Sequence, residues 1–190
     1  MIRRGRVQDA EALAALQVRA WRAAYSSYVS EEDLASAGRP EERVERWRSR
    51  LALEDAESAT LVAEDGGIAG FVTVGPSRDD DADGAGELFA IYVEPERIGT
   101  GLGRELVLAG ERELREMGFT AATLWTFQAN DTARRFYEGA GWRVDERPHD
   151  PDRWKWARSV RYRRSLTPAD ASPPPAPPGA GDPRPGAEPA

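Results

Sequence analysis

Apolar and polar positions along the chain change period several times, and each change marks an element. Ile2–Arg4 reads as a short strand. From Asp9 onward, Leu13, Leu16 and Ala20 fall at three-to-four spacing and predict a helix, capped by Asp9, running to about Tyr25. Ser30-Glu-Glu-Asp33 starts a short second helix ending near Gly38. Pro40 opens a third, with Val44, Trp47 and Leu51 on one face. The period then drops to two. Thr60–Glu64 and Ile68–Val74, joined by Asp65-Gly66-Gly67, predict a β-hairpin. An acidic loop from Pro76 to Gly86 precedes the strand Glu87–Val93, a glycine-rich turn, and the helix Gly101–Met117 ended by Gly118. A strand at Ala121–Thr126 and a helix from Asn130 to about Glu138 follow, the latter stopped by Gly139 and Gly141. Strands at Trp142–Arg147 and Val160–Arg163 close the body. The order is helical, then a ββ-hairpin, then βαβαββ, without an internal repeat.

The glycine-rich turn, Gly99-Thr-Gly101-Leu-Gly103-Arg104, sits between a buried strand and a helix. Glycine lets an anion approach the main chain, and the first helical turn offers unpaired N–H groups at the positive end of the dipole. That combination points to a phosphorylated ligand. A dinucleotide fingerprint starting at Gly99 needs glycine where Arg104 stands, and one starting at Gly101 needs it where Leu106 stands. No Gly-Lys-Ser/Thr triplet occurs, so a P-loop is excluded as well. A plain strand-to-helix turn is the alternative, but three alternate glycines cost more backbone entropy than such a turn requires.

Length and composition bound the rest. With 190 residues, one domain with a real core is expected. The body is residues 1–166. From 167 to 190, Ser172-Pro-Pro-Pro-Ala-Pro-Pro-Gly and Asp182-Pro-Arg-Pro-Gly carry no large apolar residue, which predicts a disordered, solubilising tail of polyproline II character. No cysteine occurs, and His149 is the one histidine, expected to be exposed in a Pro-flanked loop. Disulfides, thiol nucleophiles and histidine-rich metal sites are excluded, and no metal is expected. A net charge of −7 argues against nucleic-acid binding and is compatible with a cationic substrate. No membrane-length apolar stretch or signal-peptide region appears, so a cytoplasmic protein without membrane contact is expected.

Two segments resemble the GNAT family of acetyl-CoA-dependent N-acetyltransferases. One is Val93-x-Pro95 followed by Gly99-x-Gly101-x-Gly103. The other is Asn130-Asp-Thr-Ala133-Arg-Arg-Phe136-Tyr137-Glu-Gly-Ala-Gly141-Trp142. The resemblance covers about residues 1–165 and departs from the family pattern at Ile98, where glutamine or arginine is usual; Arg97 or Arg104 would supply the missing charge. It implies an α+β, three-layer fold: a mixed, mostly antiparallel sheet with a central splay between two parallel strands, flanked by helices.

The resemblance also implies a reaction and a site. Acetyl-CoA is the cosubstrate, and a primary amine of a small molecule or peptide attacks its thioester directly, through a tetrahedral intermediate. Ile98, Gly99, Thr100, Gly101, Leu102, Gly103 and Arg104 would hold the pyrophosphate. Ile91, Tyr92 and Val93 would pair with the pantetheine arm, with an amide near Ile91 or Tyr92 facing the oxyanion, and Asn130 would bond the pantetheine or cap its helix. Tyr137 would donate to the departing thiolate. Glu87, on one strand face with Phe89, Ile91 and Val93, would serve as base or stay a solvated edge charge; the acidic loop Asp79–Asp83 could instead attract the substrate cation. Trp21, Tyr25 and Tyr28 would line the amine pocket, as would the loop Arg147–Trp154. A non-catalytic acyl-CoA-binding module is the alternative function. The sequence neither demands nor forbids a homodimer.

Overall fold

The computed structural model of the chain describes residues 1–25, 39–53, 57–146 and 158–167. Within them seven strands form one sheet: β1 (Ile2–Arg4), β2 (Ala59–Glu64), β3 (Ile68–Pro76), β4 (Gly86–Val93), β5 (Ala121–Phe127), β6 (Arg143–Val144) and β7 (Ser159–Ser165). Four helices flank it: α1 (Ala10–Tyr25), α2 (Pro40–Ala52), α3 (Leu102–Glu116) and α4 (Asp131–Gly139). The strand order is β1-β2-β3-β4-β5-β7-β6, and every neighbouring pair is antiparallel except β4 and β5.

Helices cover both faces of the sheet. Leu13 and Leu16 of α1 and Trp47 of α2 pack on Val62 and Phe71. On the other face, Leu106 and Leu114 of α3 and Tyr137 of α4 pack with Trp142 on Val72, Val74 and Leu124. This double cover explains why β2 and β3 are buried at nearly every position instead of alternating.

Two irregularities in the sheet create the site. Thr73 lies opposite Ala90 but Val74 lies opposite Leu88, so Phe89 is an extra residue, a bulge in β4. The bulge breaks the alternation that would place Glu87, Phe89, Ile91 and Val93 on one face. Leu88, Ile91 and Val93 join the α3–α4 core, Ala90 and Tyr92 join the α1–α2 core, and Glu87 lies opposite Gly75 on the parity of Phe71 and Thr73. Beyond the bulge, β4 parts from β5. The parallel pairing is confined to Gly86–Leu88 against Ala122–Leu124, while β5 continues beside β7 to Phe127.

Local chemistry moves several boundaries. Asp9 does not cap α1; it ends a preceding 3-10 turn, and its carboxylate accepts from the Arg6 amide at 2.8 Å and from Arg3 at 2.7 and 3.0 Å. The Arg3 guanidinium holds that carboxyl below its ordinary range and fastens β1 to the start of α1. Trp142 is not in a strand, because its amide bonds back to the Tyr137 carbonyl at 3.0 Å, after Gly141 turns the chain at φ 87°. β7 outruns the expected Val160–Arg163 because it pairs with β5 along seven residues. The expected helix at 30–38, the loop at 147–154 and the tail from 168 lie outside the described residues. No helix among the described residues is long and apolar enough to cross a membrane.

Candidate active site

The parting of β4 and β5 opens a cleft of about 910 Å³. Leu88–Val93 line one wall, the N-terminal ends of α3 and α4 one mouth, and the last turns of α1 the other. Of the residues expected at the cofactor, Ile91, Tyr92, Val93, Ile98, Gly99 and Gly101 line the cleft, as do Gly103, Arg104, Asn130 and Tyr137. Thr100 and Leu102 do not. The Thr100 hydroxyl instead donates to the Arg97 carbonyl at 2.7 Å and braces the turn.

The glycine turn is built by backbone conformation. Gly99 and Gly101 have φ of 83° and 93°, and a Cβ at either would meet nothing within 4 Å. The left-handed backbone, not crowding, therefore requires glycine there. No side chain caps α3, so the amides of Leu102, Gly103 and Arg104 stand without helical acceptors at the positive end of a 15-residue helix. At Gly103 a Cβ would stand 3.4 Å from the Phe136 ring of α4, an ordinary contact, so packing alone does not require glycine there. Arg97 is ion-paired with Asp65 of the hairpin turn. Arg104 and Arg135 are exposed at the mouth, and neither pairs with a carboxylate among the described residues. Sequence reasoning missed Arg135, although it stands inside the segment that pointed to the cofactor.

Tyr137 is set by α4 and its surroundings. Asn130 caps that helix, its side-chain oxygen accepting from the Ala133 amide at 3.0 Å, and the residue lines the cleft mouth. Tyr137 is 7% exposed and ringed by Phe136, Trp142 and Tyr162 at centroid distances of 5.2, 6.5 and 6.1 Å. Its hydroxyl has no hydrogen-bond partner among the described residues, and burial pushes the phenol well above its ordinary pKa. Across the cleft, the Glu94 amide bonds to Ala69 on the β3 side. Strand alternation then turns the amides of Ile91 and Val93, not Tyr92, toward the gap.

At the far end, Tyr25 lines the cleft with its ring edge-on to Phe127 at 5.1 Å. Trp21 is not in the lining; it stacks edge-on against Tyr25 at 5.3 Å and donates its indole N–H to the Tyr92 hydroxyl. Tyr28 lies outside the described residues. Glu87 is 1% exposed and outside the lining, and its carboxylate accepts from the Arg78 amide at 3.0 Å and from the Arg78 guanidinium. The acidic loop turns inward too. Asp79 and Asp81 bind the buried guanidinium of Arg161, as does Asp145, and Asp79 also accepts from the indole of the lining residue Trp125 at 2.7 Å. Among the described residues, no group of three or more His, Asp or Glu is arranged to hold a metal ion.

A splayed parallel pair with an uncapped helix N-terminus at its mouth defines the class of acyl-CoA-dependent N-acyltransferases. The chain belongs to the acetyltransferase (GNAT) family, whose model matches residues 15–142. The uncharacterized N-acetyltransferase YuaI of Bacillus subtilis is 30% identical over 131 residues, 68% of this chain and 72% of that protein. The mycothiol acetyltransferase of Thermobispora bispora is 38% identical over 89 residues, 46% of this chain but only 26% of the relative's length. Among solved structures, PaiA N-acetyltransferase of Thermoplasma acidophilum in complex with coenzyme A superposes with a TM-score of 0.72 at 19% identity, over 87% of this chain and 98% of that one. YncA of Salmonella typhimurium, with its cofactor acetyl-CoA, gives 0.64 at 20% identity over 93% and 98%. At these identities the structural likeness is one of fold. Family membership makes the protein an enzyme, and the reading as a non-catalytic binding module gives way to it.

Proposed function

We propose that the cleft seats acetyl-CoA and that the protein passes the acetyl group directly to a primary amine of a small molecule or peptide. The observation that carries this reading is Tyr137, a buried phenol lining the cleft whose hydroxyl bonds to no described protein group. The unpaired amides of α3 take the pyrophosphate, with Arg104 and Arg135 adding charge. The Val93 amide pairs with the pantetheine arm as an added strand, and the Ile91 amide faces the developing oxyanion. The amine nitrogen bonds to the thioester carbon to give a tetrahedral intermediate. Its collapse breaks the carbon–sulfur bond, and sulfur leaves with a hydrogen bond from Tyr137. A thiol titrates near ~8.5 and the buried phenol far above it, so Tyr137 stays a donor while the proton shed by nitrogen ends on sulfur. The Arg78 hydrogen bonds assign Glu87 to fixing the acidic loop, and the ammonium form of the substrate loses its proton to water.

Amine-dependent thiol release from acetyl-CoA, measured across a panel of primary amines, tests the reading. Tight acetyl-CoA binding without such release would overturn it. Two further outcomes follow from the site. With water as base and Tyr137 protonated throughout, kcat/KM for the amine should climb about tenfold per pH unit toward the amine's own pKa, with no falling limb below about pH 10. A plateau near neutrality would instead reveal a protein base. Replacing Arg104 and Arg135 together by alanine should weaken acetyl-CoA binding about tenfold at low salt and flatten its salt dependence, both read by calorimetry.

A further inference from the structure

Glu111 is a carboxylate at full burial that the acetyl transfer itself does not touch. It sits midway along α3 and is 0% exposed. Its Oε1 accepts from the Trp142 indole at 3.1 Å and lies 3.2 Å from Arg164 Nη1 of β7, while Oε2 lies 3.5 Å from Arg115 Nη2. The Arg164 guanidinium also donates to the Ala140 carbonyl, just past the end of α4. An indole can only donate, and that of buried Trp142 has no other acceptor among the described residues. One carboxylate thus fastens both ends of the turn Ala140–Trp142. Stability alone does not call for it, because well-packed apolar side chains commonly replace buried ion pairs at no loss. The turn in question holds Tyr137. The amides of Ala140 and Trp142 both donate to the Tyr137 carbonyl at 3.0 Å, and the Trp142 and Tyr137 rings meet edge-on with centroids 6.5 Å apart. The Tyr137 hydroxyl has no described partner of its own, so its place is set through the ring and the backbone.

We propose that Glu111 is a positioning residue for the acetyl transfer, acting through Trp142 to hold the Tyr137 hydroxyl at the departing sulfur. Helix α3 then serves the cofactor twice. Its N-terminus takes the pyrophosphate, and Glu111, about two and a half turns further on, places the donor to the thiolate. The distance between the two ends of the bound cofactor is thereby matched by one rigid element. The assignment rests on the acetyl-transfer reading and adds to it the device that aims Tyr137.

A double-mutant cycle on kcat provides the test. Glu111→Gln keeps the volume and removes the charge that faces Trp142 and Arg164. A hydroxyl misplaced by about an ångström matters only when charge collects on sulfur, so kcat should fall about tenfold while the KM for acetyl-CoA holds. In a Tyr137→Phe background there is no hydroxyl left to misplace, and the same substitution should change kcat less than about twofold. The denaturation midpoint, by contrast, should drop equally in both backgrounds, because no described group bonds to the Tyr137 hydroxyl. Trp142→Phe provides a second arm should Glu111→Gln not fold. It keeps a ring against Tyr137, loses the indole N–H, and should show the same dependence on Tyr137. An equal kcat loss in both backgrounds, an unchanged kcat, or a raised KM with kcat intact would overturn the assignment while leaving acetyl transfer standing. Absence of thiol release with every amine in the wild type would remove the acetyl-transfer reading and this assignment with it.

Discussion

Replacing Tyr137 by phenylalanine is expected to lower kcat about 10²-fold while the KM for acetyl-CoA changes little. The variant keeps the ring, and with it the contacts to Phe136, Trp142 and Tyr162 that seat α4 on the sheet. Only the hydroxyl is lost, and no described group depends on it, so thermal unfolding should be almost unchanged. The missing donor matters when charge collects on sulfur, which happens in the transition state and not in the bound thioester. An effect confined to kcat is the signature of such a group. Acetyl thioesters with more acidic thiols need less help in leaving, so the deficit should shrink along such a series. A raised KM with kcat intact would make Tyr137 a binding residue instead.

How much of this was legible before the fold depends on the range of the interaction concerned. The left-handed positions Gly99 and Gly101, the α3 terminus and Tyr137 lie within two short segments, and short-range chemistry wrote them into the sequence. The Phe89 bulge is different. Period-two alternation assumes one residue opposite one, and the slip between Thr73 and Val74 depends on a partner strand whose register the sequence does not carry. The bulge is what removes Glu87 from the face of Ile91 and Val93. Arg135 was hidden for another reason: on a helix with arginine at 134 and 135, only packing tells which side chain is spent. Arg134 is engaged with the Tyr162 hydroxyl at 3.3 Å and the Gln128 carbonyl at 3.4 Å, and Arg135 is left at the cleft mouth.

Replacing Arg161 by methionine is expected to cost about 3–5 kcal/mol of unfolding free energy, measured by chemical denaturation. In the sequence, Asp79-Asp80-Asp81 looks like a lure for a cationic substrate, but the cation that Asp79 and Asp81 serve is internal. Arg161 is fully buried on β7. Its fork reaches Asp145 at 3.0 Å, Asp79 at 3.3 Å and both oxygens of Asp81 at 2.6 and 2.8 Å, and its Cζ lies 5.6 Å from the Trp125 ring centroid. Methionine fills similar volume but takes the guanidinium away from the carboxylates of Asp79 and Asp145, both almost wholly shielded from water. Asp81 is 47% exposed, so Asp81→Asn alone should cost under about 1 kcal/mol. Arg161→Lys should fall between, because one ammonium cannot satisfy a fork directed at three acids. Adding Asp145→Leu to Arg161→Met should recover part of the loss, since a buried charge without its partner is costlier than a buried apolar pair. Asp79 ties the cluster to the indole of Trp125 in the cleft wall, so catalytic efficiency should fall with stability in Arg161→Met and remain near wild type in Asp81→Asn. Wild-type stability in Arg161→Met would show that the three carboxylates find other partners once the guanidinium is gone.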